Sequence, residues 1–123
     1  MSLIPPELQY TKDHEWTRIQ GDVATIGVTD HAQRELGDIV FVELPKVGQE
    51  VKAGQSFGTI EAVKTVAELY APVTGVVAEV NADLGHDAGV INQDPYEKGW
   101  IIKIKVSDAP TDLLDAAGYK ALV

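Results

Sequence analysis

Apolar residues in this chain fall mostly in short runs of period two, broken by glycine and proline, and only two stretches carry helical spacing. Residues 1–9 read as an irregular arm, because Pro5 and Pro6 remove two backbone donors and resist helix. Residues 10–20 are mixed, with Trp16 and Ile19 as candidate buried positions and His14 and Glu15 beside them. After a Gln20-Gly21-Asp22 turn, residues 23–28 predict a strand by β-branched content, hairpinned to the segment before Gly21. Thr29 then offers the N-cap of a short helix with Asp30 in its first turn, Ala32 and Leu36 as apolar contacts and Gly37 as its stop. At about two turns it needs tertiary support.

Residues 38–44 predict a core strand ended by Pro45, and residues 47–55 alternate short extended pieces with glycine turns. Residues 57–63 and 65–71 predict two strands of a hairpin with Lys64 at its apex. In residues 76–81, Val76, Ala78 and Val80 are expected on one face and Val77 and Glu79 on the other. Residues 83–96 read as polar and irregular, with Asn92, Asp94 and Pro95 as turn formers. The last strand, 100–106, is expected to bury Trp100, Ile102, Ile104 and Val106 and to turn Lys103 and Lys105 outward. Pro110 and Thr111 are expected to open a C-terminal helix with a stripe of Leu113, Leu114, Ala117, Ala121 and Leu122. The sum is a mainly β sandwich of antiparallel sheets with two short helices, as one domain over residues 1–123. Strands 47–61 and 69–81, on either side of Lys64, further suggest two half-motifs related by a pseudo-twofold.

Composition narrows the chemistry. The 123 residues suffice for a core without staples, and the absence of cysteine rules out disulfides, thiol nucleophiles and sulfur-based zinc sites. A net charge of -9 disfavours nucleic acid and anionic membranes and suits a basic protein partner, although acidity also serves solubility alone. With neither a signal-peptide pattern nor an arginine-rich transit pattern at the N-terminus, a cytoplasmic location is expected. Phosphate-cradling, Gly-x-Ser-x-Gly and His-Glu-x-x-His motifs are absent, so no catalytic residue and no metal ligand is assigned. His14, His31 and His86 read as scattered surface or packing histidines.

Lys64 admits three readings. A catalytic Schiff-base lysine would need a desolvated pocket, the reverse of a hairpin tip. An ordinary surface lysine would need no explanation. A site of covalent modification would want the exposed apex that an attaching enzyme can reach, and acylation there would leave a neutral tether.

Glu61-Ala62-Val63-Lys64-Thr65, followed by Tyr70-Ala71-Pro72-Val73-Thr74-Gly75, resembles the swinging-arm carriers that hold lipoyl or biotin on one lysine. Biotin carriers usually flank that lysine with methionines, where Val63 and Thr65 stand here. The match widens in Tyr10-Thr11-Lys12-Asp13-His14-Glu15-Trp16, Ile26-Gly27-Val28-Thr29-Asp30-His31-Ala32-Gln33, Leu36-Gly37-Asp38-Ile39-Val40-Phe41-Val42-Glu43-Leu44-Pro45 and Asp94-Pro95-Tyr96-Glu97-Lys98-Gly99-Trp100. These segments resemble the H-protein family of the glycine cleavage system across nearly the whole chain.

The resemblance implies a lipoyl-type hammerhead β-sandwich with flanking helices and a lipoate joined by an amide to Lys64. It implies a carrier, not an enzyme, shuttling an aminomethyl group from a pyridoxal-phosphate glycine decarboxylase (P protein) to a folate-dependent aminomethyltransferase (T protein). Dihydrolipoamide dehydrogenase (L protein), using FAD and NAD, would reoxidise the arm, and a lipoyl-attaching enzyme would load it. A monomer suits such shuttling. The resemblance also implies a cleft for the loaded arm, with Glu15 and Glu68 near the cargo's ammonium and Asp13 where relatives often have serine. Many relatives have Ser-Asp where this chain has Ala67-Glu68, so one hydroxyl is lost and the carboxylate reaches further. The plain alternative makes Glu15 and Glu68 solvated hairpin charges. Other readings of the whole chain are a lipoyl-relay or partner-binding H-like protein, or a biotin carrier.

Overall fold

The computed structural model describes residues 3–108, 110 and 112–123, and its strands form two antiparallel sheets. In chain order they are β1 (Gln9–Tyr10), β2 (Glu15–Gln20), β3 (Val23–Val28), β4 (Ile39–Glu43), β5 (Glu50–Val51), β6 (Ser56–Ala62), β7 (Val66–Tyr70), β8 (Thr74–Val80) and β9 (Ile102–Asp108). The larger sheet runs β1-β2-β3-β9-β8-β5 and the smaller β4-β6-β7. Helices α1 (Asp30–Leu36), α2 (Val90–Gln93) and α3 (Ala116–Lys120), with a 3-10 turn over Ala82–Gly85, flank them. No helix among the described residues is long and apolar enough to cross a membrane.

One long antiparallel ribbon organises both sheets. At its base the Gly48 N–H donates to Val77 O at 2.8 Å, and the Val77 N–H to Gln49 O at 2.9 Å. Glu50 then faces Val76 and Val51 faces Gly75, all within the larger sheet. Bonds from Gly54 N to Ala71 O and from Ala71 N to Gln55 O, at 2.8 and 2.9 Å, carry the pairing across the bend. In the smaller sheet the rungs continue from Ser56 opposite Tyr70 to Glu61 opposite Val66. Each arm of the ribbon thus leaves one strand in each sheet, as the two half-motifs suggested, and residues 63–65 close its tip.

The main core lies between the sheets. Ala24 and Ile26 on β3, Ile102 and Ile104 on β9 and Val77 on β8 are buried with Val42, Ile60 and Leu69 of the smaller sheet. Each valine, leucine or isoleucine among them contributes roughly 1.5–3 kcal/mol by leaving water. A second cluster, Leu8, Tyr10, Trp16, Tyr96 and Tyr119, forms around the opposite side of β2. Trp16 pairs across the strands with Gly27, and a Cβ there would stand 2.6 Å from the indole Nε1. The missing side chain lets the indole cross β3 and donate to Pro95 O at 2.9 Å.

Helix α1 matches its expected bounds: Thr29 accepts the Ala32 N–H at 3.1 Å, and Gly37 ends the helix at φ 77°. Elsewhere the structure corrects the pattern. Val40 and Phe41 are exposed because the β4–β6 register shifts between Ile39 and Phe41, leaving Ile39 and Val42 as the inward residues. In β8 the expected alternation holds from Val76 to Ala78, with Val77 buried and its two neighbours exposed, and the register shift between Val77 and Glu79 breaks it only beyond that, leaving Glu79 exposed beside Ala78. Residues 83–96 are not irregular throughout: the 3-10 turn and α2 bury Leu84 and Ile91.

Strand β9 begins at Ile102, and Trp100 and Val106 are only half-buried. The C-terminal helix is shorter than expected, capped by Asp115, which accepts the Gly118 N–H at 2.7 Å. Leu114 instead bridges to Tyr10 as extended chain. Tyr119 takes the buried place, whereas Ala117, Ala121 and Leu122 are exposed. Thr111 lies outside the described residues.

Gly27→Ala should destabilise the fold by about 1–3 kcal/mol, since the indole must give way in a filled cluster. Urea unfolding followed by tryptophan fluorescence should show a lower midpoint with the slope retained.

Candidate functional site

Lys64 occupies the tip of the β6–β7 ribbon and is exposed, with Val63 at 76% and Val66 at 60% exposure on either side. The tip is nevertheless fixed. Ala62 donates to Thr65 O at 2.8 Å, and Val63 donates to Asp38 O at 3.0 Å. The lysine stem lies along Gly37, where a Cβ would stand 3.4 Å from Cε and 3.8 Å from Nζ. The positive φ of Gly37 stops the helix, and a Cβ there would only touch the lysine stem at ordinary contact distance.

A groove of about 160 Å³ lies between α1, β7 and the turn before β2. Its apolar walls include Val28, Leu36, Ile60 and Leu69, and its carboxyl groups are Asp13, Glu15, Glu35 and Glu68. The three acidic residues expected from sequence, Asp13, Glu15 and Glu68, thus share one cavity. Glu35 was not anticipated, although Ala32, Glu35 and Leu36 follow the i, i+3, i+4 spacing of one helix face.

The two glutamates differ sharply. Glu15 faces Val28 across β2–β3 and so takes a core-facing position, where it is 2% exposed. Its Oε1 accepts the Thr11 hydroxyl at 2.8 Å and its Oε2 the Tyr70 N–H at 3.2 Å. Burial dominates and pushes its carboxyl up to about 8, with the nearby Asp13 charge adding to the rise against those two hydrogen bonds. Glu68 is exposed and accepts the Ser56 hydroxyl. Solvation therefore describes Glu68 but not Glu15.

The histidines are less scattered than expected. His14 and His31 come together with ring centroids 4.8 Å apart, and His14 lines the groove. Burial, with the neighbouring His31 imidazole, lowers the affinity of His14 for a proton. His86 follows the 3-10 turn, away from this group.

Because Glu15 binds its proton more tightly when folded, it makes the folded chain hold more protons between about pH 4.5 and about pH 8. Its contribution to stability is therefore present at the acid end of that window and lost as the pH rises through the folded value. Glu15→Gln should flatten this decline, as urea midpoints collected across the window would report.

Comparison with known proteins fits this geometry. Residues 8–123 match the family model described as glycine cleavage H-protein. A glycine cleavage system H protein of Rubrobacter xylanophilus is 56% identical over 119 residues, 97% of this chain and 94% of that one. Another, of Herpetosiphon aurantiacus, is 50% identical over 123 residues, covering 100% of this chain and 95% of that one. The crystal structure of a glycine cleavage system H protein from Mycobacterium marinum superposes with a TM-score of 0.90 at 42% identity, over 96% of this chain and 97% of that one. Sequence, sheet architecture and full-length coverage agree, and the chain belongs to the glycine cleavage H-protein family, the non-catalytic lipoyl carriers of that system.

Proposed function

We propose that Lys64 is the residue that bears the lipoyl group, as an amide at Nζ, with residues 1–123 acting as a single carrier unit. The observation that carries this is the exposed amine at the free end of a hydrogen-bonded ribbon, flanked by side chains that also stand in solvent. Acylation removes the ammonium charge and yields a neutral tether. The lipoyl group supplies a dithiolane that takes up an aminomethyl cargo and is later reoxidised.

The groove receives the cargo in this account. Glu15, Glu68 and Asp13, joined by Glu35, face a cationic amine with carboxyl groups, while Val28, Leu36, Ile60 and Leu69 keep water away. An ammonium beside Glu15 favours its carboxylate form, so docking of the cargo drives off the proton that burial retains. The partners in this account are the P, T and L proteins and a lipoyl-attaching enzyme, meeting a cytoplasmic monomer. A net charge of -9 suits basic partner surfaces.

Intact mass spectrometry after expression with lipoate and an active lipoyl-attaching enzyme tests the attachment. The wild-type chain should gain one lipoyl group and Lys64→Arg none, because a guanidinium is not acylated there. A lipoyl group retained by Lys64→Arg, or biotin found by streptavidin blotting in its place, would overturn the assignment.

A further inference from the structure

His14 is the one non-glycine residue with a left-handed backbone among those described, at φ 68°. That conformation is unfavourable for a side chain bearing a Cβ and persists only where neighbours enforce it. Its carbonyl accepts the Thr29 N–H at 3.0 Å, and its Nδ1 lies 2.8 Å from the Tyr119 hydroxyl. The same hydroxyl is 2.7 Å from Thr29 Oγ1, the atom that caps α1. Tyr119 itself is fully buried and stacked on Tyr10, with centroids 4.8 Å apart.

The residue after His14 is Glu15, and the turn between them is short. Thr11 donates its N–H to Glu15 O at 2.9 Å, His14 donates to Thr11 O at 3.2 Å, and the Thr11 hydroxyl donates to the Glu15 carboxyl. His14 and Glu15 are therefore tied to Thr11 within one compact turn. We propose that the Tyr119 hydroxyl, on the C-terminal helix, acts through His14 to hold the Glu15 carboxyl at the groove, as a positioning residue that does not line the groove itself. The functional half rests on the groove's role in holding the cargo.

Tyr119→Phe tests this, since the phenyl ring keeps the stacking on Tyr10 and only the hydroxyl is lost. In the unlipoylated protein, side-chain 13C NMR should show Glu15 titrating closer to the ordinary carboxylate range. In lipoylated, aminomethyl-loaded protein, formaldehyde release by hydrolysis should quicken about fivefold, the scale of one hydrogen bond. In a Glu15→Gln background the same substitution should add nothing. His14→Asn, which tolerates the left-handed backbone but has a shorter reach, serves if Tyr119→Phe does not fold, and should shift Glu15 in the same direction.

An unchanged Glu15 titration overturns the positioning role whatever the hydrolysis rate. If Glu15→Gln alone leaves the cargo's lifetime unaltered, the groove's role fails instead, and the functional half falls with it.

Discussion

A two-stranded ribbon standing alone in water is marginal, so the value of the long hairpin here depends on what grips it along its length. Strand β9 holds its lower half through β8, and β4 holds its upper half through β6. Below the tip, Asn92 of α2 completes the grip: its carbonyl accepts the Ile39 N–H at 2.9 Å, and its amide donates to Gly37 O at 2.7 Å and to Gln33 at 3.0 Å. Those bonds fix the corner whose next carbonyl, that of Asp38, receives the Val63 N–H. Backbone pairing, more than any side chain at the apex, determines where the amine of Lys64 stands.

Much of this was legible because short β elements with glycine turns leave a strong period-two signal. Thr29 and Gly37 are readable on capping chemistry, and the pair of strands flanking Lys64 on β-favouring content alone. The failures share one cause, since pattern reports only which residues could face inward. The register shift in β4 leaves Val40 and Phe41 both outward, and the one in β8 leaves Glu79 exposed beside Ala78; such shifts arise from pairing with distant strands. Tyr119 and Ile91 gain burial from contacts with segments remote in sequence. Of the candidate site, Lys64 and the three acidic residues come from the resemblance, and the structure adds that the three acidic residues line one groove. The depth of Glu15 depends on its pairing with Val28, which no local pattern gives.

Glu15 also illustrates how a position can be apolar in topology and polar in chemistry. An aliphatic residue opposite Val28 would extend the inner row of the large sheet; a carboxyl there has its proton affinity raised by burial, against the two neutral donors that meet it. Glu68, on β7 of the smaller sheet, keeps ordinary access to water. The groove thus offers two unlike carboxyl groups: one buried and hydrogen-bonded, and one already solvated.

The apex of the ribbon has a different consequence. Val63 and Val66 project into solvent, and the main-chain bonds at the tip ask little of the side chains that accompany them. Folding therefore leaves those flanking positions free to vary, and any constraint that evolution imposes on them must come from outside the molecule, from surfaces that grasp the tip in turn.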